Sequence, residues 1–162
     1  MVAAEKQTNF VVYRHHRSKS RIYQPSKGAS AESQGMSFFP NRSLVFVVDD
    51  DGAMLKGIAR VLRQYGYDSV LFPSSKAFEN HRDFEKALCI ILDINLGDGS
   101  GIELRHRLKA AGNTVPVIYM TGNDTPAVRA SALQSGCLAY LTKPFSAKSL
   151  IESLERASTG LT

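Results

Sequence analysis

From residue 44 onward, short apolar runs alternate with segments in which apolar residues recur every three or four positions. The runs are 44–48 (LVFVV), 69–72 (SVLF), 88–92 (LCIIL), 116–120 (PVIYM) and 138–142 (LAYLT). Runs this short and this uniformly apolar, bounded by turn residues, predict strands buried on both faces, the habit of a parallel sheet covered by helices. After the first run, Met54, Ile58, Val61, Leu62 and Tyr65 repeat at helical spacing and Gly66 follows as a stop. Ser74-Ser75 opens a weaker helix through Phe78 to about Phe84, and a third runs from about Gly101 to Ala111 with Ile102, Leu104, Leu108 and Ala111 inward. The alanine-rich segment from Thr125 to Ser135 predicts a fourth helix, the least firmly packed. Ser146 caps a fifth, with Ala147, Leu150, Ile151, Leu154 and Ala157 as its inward stripe. Five strand-helix repeats predict a doubly wound α/β fold with right-handed crossovers.

The polar residues that end the runs carry the chemistry. Asp49-Asp50-Asp51 follows the first strand, Asp93 the third, Thr121 the fourth and Lys143 the fifth; the second ends in Leu71-Phe72-Pro73. One common strand order of such folds, 2-1-3-4-5, makes strands 1, 3, 4 and 5 contiguous, so their carboxyl ends share one cleft and the strand without a polar end lies outside it. Carboxylates crowded together repel unless a cation binds or their pKa values rise. A ligand set of oxygens, with no His or Cys, points to a hard divalent ion, and Mg²⁺ suits a site that keeps waters for a phosphate. Lys143 and Thr121 can then bind phosphoryl oxygens while Asp93 attacks phosphorus to give an acyl phosphate. Singly, each residue has a plainer role: Asp50 or Asp51 as a helix N-cap, Asp98 as a turn residue, Thr121 as a strand end, Lys143-Pro144 as a loop dipeptide. Their joint placement at the ends of four adjacent strands favours the cleft.

Charge separates the chain into two parts. Residues 1–43 hold seven Lys and Arg against two acids, whereas residues 44–162 hold thirteen of each, so the net charge of +5 resides in the amino-terminal segment. That segment shows neither period and is rich in Ser, Lys, Arg, His and Gly, which predicts a disordered basic extension at 1–43 ahead of a domain at 44–159. Without aromatic-basic interleaving or an amphipathic face, it reads as a solvated leader, or as an extension upstream of a start at Met36, before a nucleic-acid or anionic-membrane contact.

At 162 residues and 43% apolar content, the chain is long enough for one ordinary core. No apolar run reaches a membrane span, no secretion signal opens the sequence, and Cys89 and Cys137 lack metal-ligand spacing, all of which fits a cytoplasmic protein with buried thiols. His15, His16, His81 and His106 read as solvated surface, His106 lying between Arg105 and Arg107 on a polar helix face.

The motifs VFVVDDD at 45–51, ILDINLGDGSG at 91–101, VIYMTGND at 117–124 and AYLTKPF at 139–145 resemble the receiver domain of two-component response regulators, over essentially all of residues 44–159. The resemblance implies a flavodoxin-like fold with a five-stranded parallel sheet in the order 2-1-3-4-5. It implies Asp93 as phosphoacceptor, Asp49 and Asp50 with Asp93 and the Asn95 backbone carbonyl around Mg²⁺, Thr121 and Lys143 as phosphate binders, and Tyr140 as the aromatic that turns inward with Thr121. It also implies a cis Lys143-Pro144 bond. Gly97 departs from the family, which usually has proline there, and is expected to loosen the loop; Asn95 and Asn123 occupy positions that tune loss of the phosphate. The expected function is that of a stand-alone receiver, not an enzyme. It would take a phosphoryl group from a histidine kinase or histidine phosphotransfer protein and present the face of the fourth helix, fifth strand and fifth helix to a protein target. An aspartate-nucleophile phosphatase is disfavoured by Asn95, which stands where a second acid would protonate the leaving group. Nucleic acid, bound through the basic segment, is the third reading.

Overall fold

The computed structural model describes residues 11–13 and 44–160. In chain order these form β1 (Val11–Tyr13), β2 (Leu44–Val48), α1 (Gly52–Gln64), β3 (Asp68–Phe72), α2 (Ser75–Glu79), a 3₁₀ turn (Phe84–Lys86), β4 (Cys89–Asp93), β5 (Asn95–Leu96), β6 (Gly99–Ser100), α3 (Gly101–Ala110), β7 (Val117–Thr121), α4 (Pro126–Gln134), β8 (Ala139–Thr142) and α5 (Ala147–Thr159). The main sheet has the order β1-β3-β2-β4-β7-β8. Its five strands from β2 onward are parallel, in the expected order 2-1-3-4-5.

The sixth strand departs from expectation. Within the segment read as disordered, Val11–Tyr13 pairs antiparallel with β3, in register Val11↔Leu71, Val12↔Val70 and Tyr13↔Ser69. A β-branched and aromatic triplet suits a sheet edge, and pairing covers backbone groups that β3 would otherwise leave open. The rest of 1–43 lies outside the described residues.

Side-chain alternation along the strands divides the core in two. Val45, Val47, Ile91, Ile118 and Met120 face α1 and α5, while Phe46, Val48, Leu92, Val117 and Tyr119 face α2, α3 and α4. The carboxyl end of β4 is drawn close to the start of α3: a Cβ on Gly101 would stand 2.1 Å from the Asp93 carbonyl oxygen, so only glycine admits this approach. Gly101 N–H instead donates to the Ile94 carbonyl at 2.8 Å.

Several helical expectations are corrected. Asp51 caps α1, accepting from Ala53 N at 2.8 Å and Met54 N at 3.3 Å, which leaves Asp49 and Asp50 outside the cap. Tyr65, expected inward, is the C-cap residue and 55% exposed; Leu55 and Ala59 fill the stripe with Ile58 and Leu62. Likewise Ala111 ends α3 as an exposed C-cap, while Arg105, expected on a polar face, is buried. α2 stops at Glu79 instead of about Phe84. Phe78 and His81 meet the rings of Phe46 and Phe72, and after a turn through Asp83 at φ 64° Phe84 meets those of Phe46 and Phe78. His81 is therefore half-buried among rings, not solvated. His106 is exposed, and His15 and His16 lie outside the described residues. Cys89 is buried and Cys137 half-buried, both as free thiols.

Candidate functional site

Parallel strands in register deliver their carboxyl ends to one edge of the sheet, and the residues just beyond them meet there. Asp49 follows β2, Asp93 ends β4, Thr121 ends β7 and Lys143 follows β8. Lys143 Nζ donates to Asp49 Oδ2 and to Asp93 Oδ2, both at 2.8 Å. Asp49 and Asp93 are almost fully buried and Asp50 is exposed. The three carboxylates each offer an oxygen within 4.8 Å of the others.

Backbone amides hold the remaining oxygens: Asp51 N–H donates to Asp49 Oδ1 at 2.8 Å, and Asn95 N–H to Asp93 Oδ1 at 3.0 Å. The Asn95 side-chain amide makes a long hydrogen bond to Thr121 Oγ1, 3.4 Å, linking the turn after the phosphoacceptor candidate to the end of β7. Thr121 Oγ1 also accepts from Asn123 N–H at 3.0 Å and donates to the Asn123 carbonyl at 3.2 Å. The Lys143-Pro144 bond is cis.

Burial pushes the Asp49 carboxyl above its ordinary value, the neighbouring Asp93 charge adds to this, and the Lys143 ammonium and Asp51 amide oppose it. Burial would push Lys143 down, but its hydrogen bonds to Asp49 and Asp93 hold the ammonium above its usual value. Three carboxylates around one ammonium leave an excess of negative charge, which a divalent cation matches. The loop also leaves room: a Cβ at Gly97 would stand 3.1 Å from Asp50 Oδ2, so a bare glycine keeps that carboxylate clear. The donor set therefore fits a hard cation coordinated by oxygen.

Two residues gain roles that sequence did not reveal. Asp98, read as a turn residue, reaches α2: its carboxylate accepts from Ser75 N at 3.0 Å, Ser75 Oγ at 2.9 Å and Lys76 N at 3.0 Å. Burial opposes its charge, yet these donors outweigh burial and hold the carboxyl below its ordinary value. Asp124 accepts from the Tyr140 hydroxyl at 3.0 Å and pairs with Arg129, whose guanidinium lies 4.7 Å over the Tyr140 ring. Tyr140 is thus half-exposed and turned toward α4's first turn. No local period signals either contact, because the partners come from separate elements.

Comparisons with known proteins bear on the family and the fold. The chain belongs to the response regulator receiver domain family, whose model matches residues 45–155. It is similar to the response regulator protein TodT of Pseudomonas putida, 28% identical over 115 residues that make up 71% of this chain and 51% of TodT. The transcriptional regulatory protein FixJ of Bradyrhizobium diazoefficiens is 30% identical over 113 residues, 70% of this chain and 55% of FixJ. Among solved structures, the response regulator StyR superposes with a TM-score of 0.64 at 34% identity, covering 70% of this chain and 58% of that one. The chain spans about half the length of the curated relatives it matches. No helix among the described residues is long and apolar enough to cross a membrane.

Proposed function

We propose that this chain accepts a phosphoryl group on Asp93 from the phosphohistidine of a histidine kinase or histidine phosphotransfer protein. The observation that carries the reading is Lys143 Nζ bridging Asp49 Oδ2 and Asp93 Oδ2 at 2.8 Å each, an ammonium set where phosphoryl oxygens would arrive. An Asp93 carboxylate oxygen attacks phosphorus in line; the new O–P bond forms as the P–N bond breaks, and the imidazole leaves with the electron pair and takes up a proton. Asp49, Asp50, Asp93 and the Asn95 carbonyl would hold Mg²⁺, which when bound neutralises charge on the phosphoryl oxygens. Lys143 then exchanges Asp93 for a phosphoryl oxygen, and Thr121 exchanges its Asn123 contacts for another. The acyl phosphate is the modified state of a signalling protein, not an intermediate of steady turnover, so the chain is not an enzyme of a separate substrate. Cytoplasmic residence is part of the same proposal.

The output is a change of surface. Thr121 lies two residues beyond Tyr119 on β7, and Tyr140 faces the same side from β8, so both address α4. Movement of Thr121 toward the phosphate opens space for Tyr140 to leave Asp124 and turn inward, altering the α4-β8-α5 face offered to a protein target. The test is incubation of the full chain with a small phosphodonor and Mg²⁺, read by intact mass. Wild type gains one acid-stable, base-labile phosphoryl group and Asp93→Asn gains none; equal labelling of both overturns the assignment.

A further inference from the structure

Resting on the receiver reading, we propose that Asp98 is a positioning residue for the cation site, tying the β5–β6 hairpin to α2 so that Asn95 and the clearance beside Asp50 are set before any ion arrives. The hairpin is the part of the site with the least support of its own. It pairs only Asn95 with Ser100 and Leu96 with Gly99, and its tip is Gly97-Asp98. A two-pair ribbon with a glycine on either side of Asp98 is marginal by itself. The family's usual proline at 97 would stiffen such a tip through the chain; here the restraint comes from across the fold.

Asp98 supplies it through three hydrogen bonds of 2.9 to 3.0 Å to the first residues of α2. Their anchor is rigid. Phe78 in α2 is fully buried and packs edge-on against Phe72, ring centroids 5.0 Å apart. On its other side the tip abuts the acids, where the missing Cβ of Gly97 would meet Asp50 Oδ2 at 3.1 Å. A small movement of the tip therefore changes both the space open to Asp50 and the place of Asn95, whose N–H already holds Asp93 Oδ1. Support behind metal ligands commonly sets affinity as strongly as this.

Calorimetric titration of Mg²⁺ into the full chain, well below the thermal midpoint of every variant, tests the proposal. Asp98→Ala is expected to weaken Mg²⁺ binding about tenfold. Asp98→Asn keeps one carbonyl oxygen for the α2 amides and recovers most of the loss. Ser74→Ala separates this role from a merely structural one: it removes the helix's own cap on Ala77 N, 3.0 Å, lowers the thermal midpoint and leaves Mg²⁺ affinity at the wild-type value. Equal affinity in wild type and Asp98→Ala, or an equal loss in Ser74→Ala, overturns the proposal and leaves the receiver reading standing. A wild-type chain that binds no Mg²⁺ removes the receiver reading and this proposal with it.

Discussion

The two faces of the sheet are held by different means. On one, α1 and α5 are thirteen residues each and bury four residues apiece, nearly all aliphatic. On the other, α2 has five residues and α4 buries only Ala132. There the core adds aromatic rings and a few polar anchors to the aliphatic residues of the strands and α3. Arg105 sits buried with its Nη1 donating to the Val115 carbonyl at 3.1 Å, and Lys109 Nζ donates to the Ser135 carbonyl at 3.1 Å. Tyr119 reaches Ser135 Oγ at 2.9 Å, and Ser135 Oγ donates onward to the Ala132 carbonyl at 2.7 Å. These anchors gather at the carboxyl end of α4, while its amino end is tied by the Asp124–Arg129–Tyr140 contacts at the surface. α1 and α5 thus bury the longer apolar stripes, whereas α4 rests on fewer buried side chains and is held by polar contacts at both ends.

The largest effect that would sharpen this contrast comes from Leu62→Ala on α1. Its side chain is fully buried, so truncation is expected to lower stability by about 2–5 kcal/mol in urea unfolding. Leu133→Ala on α4, where the side chain is 60% exposed, should stay within about 0.5 kcal/mol. Similar losses from the two substitutions would abolish the distinction between the faces.

A smaller effect is expected at the anchored end of α4. Because Ser135 spends its proton on Ala132, the Tyr119 hydroxyl is the donor of that pair, and Tyr119→Phe leaves a buried Ser135 oxygen short of one partner. The expected loss is about 1 kcal/mol. Amide exchange should quicken at the end of α4 and not in α1; uniform quickening would show that the anchor is shared by the whole domain.

The smallest effect is a slope with pH. Burial among the rings holds His81 below its usual value of 6.5, more than offsetting the pull of Asp83 upward. As pH falls through 6.5, the unfolded chain takes up a proton that the folded chain refuses, so stability declines until the folded value is reached. Urea midpoints between pH 7.5 and 5.5 should therefore fall more steeply in wild type than in His81→Leu. Parallel curves would mean that the ring cluster does not keep this imidazole neutral.

Legibility in the sequence followed the range of each interaction. Asp49, Asp93, Thr121 and Lys143 stood out because each adjoins an apolar run, and the run announces both its strand and the end at which chemistry collects. Arg105 and His81 were misread as surface because a polar residue on a helix or near its end looks solvated until its neighbours are known. Asp98 does stand in a turn, as expected, but its tie to α2 left no trace in the sequence: Ser75, its partner, lies 23 residues earlier, and no spacing rule joins them.

The amino-acid sequence alone determined the alternation of strands and helices, the ends at which the reactive groups stand, and hence the family, because hydrophobic period and turn chemistry are written over a few consecutive residues. Tertiary structure decided the edge strand at Val11–Tyr13, the early end of α2, the buried cation on α3 and the tether from Asp98 to α2. Each of these depends on burial or hydrogen bonding between segments distant in sequence, and such contacts have no energy until the chain has folded to make them.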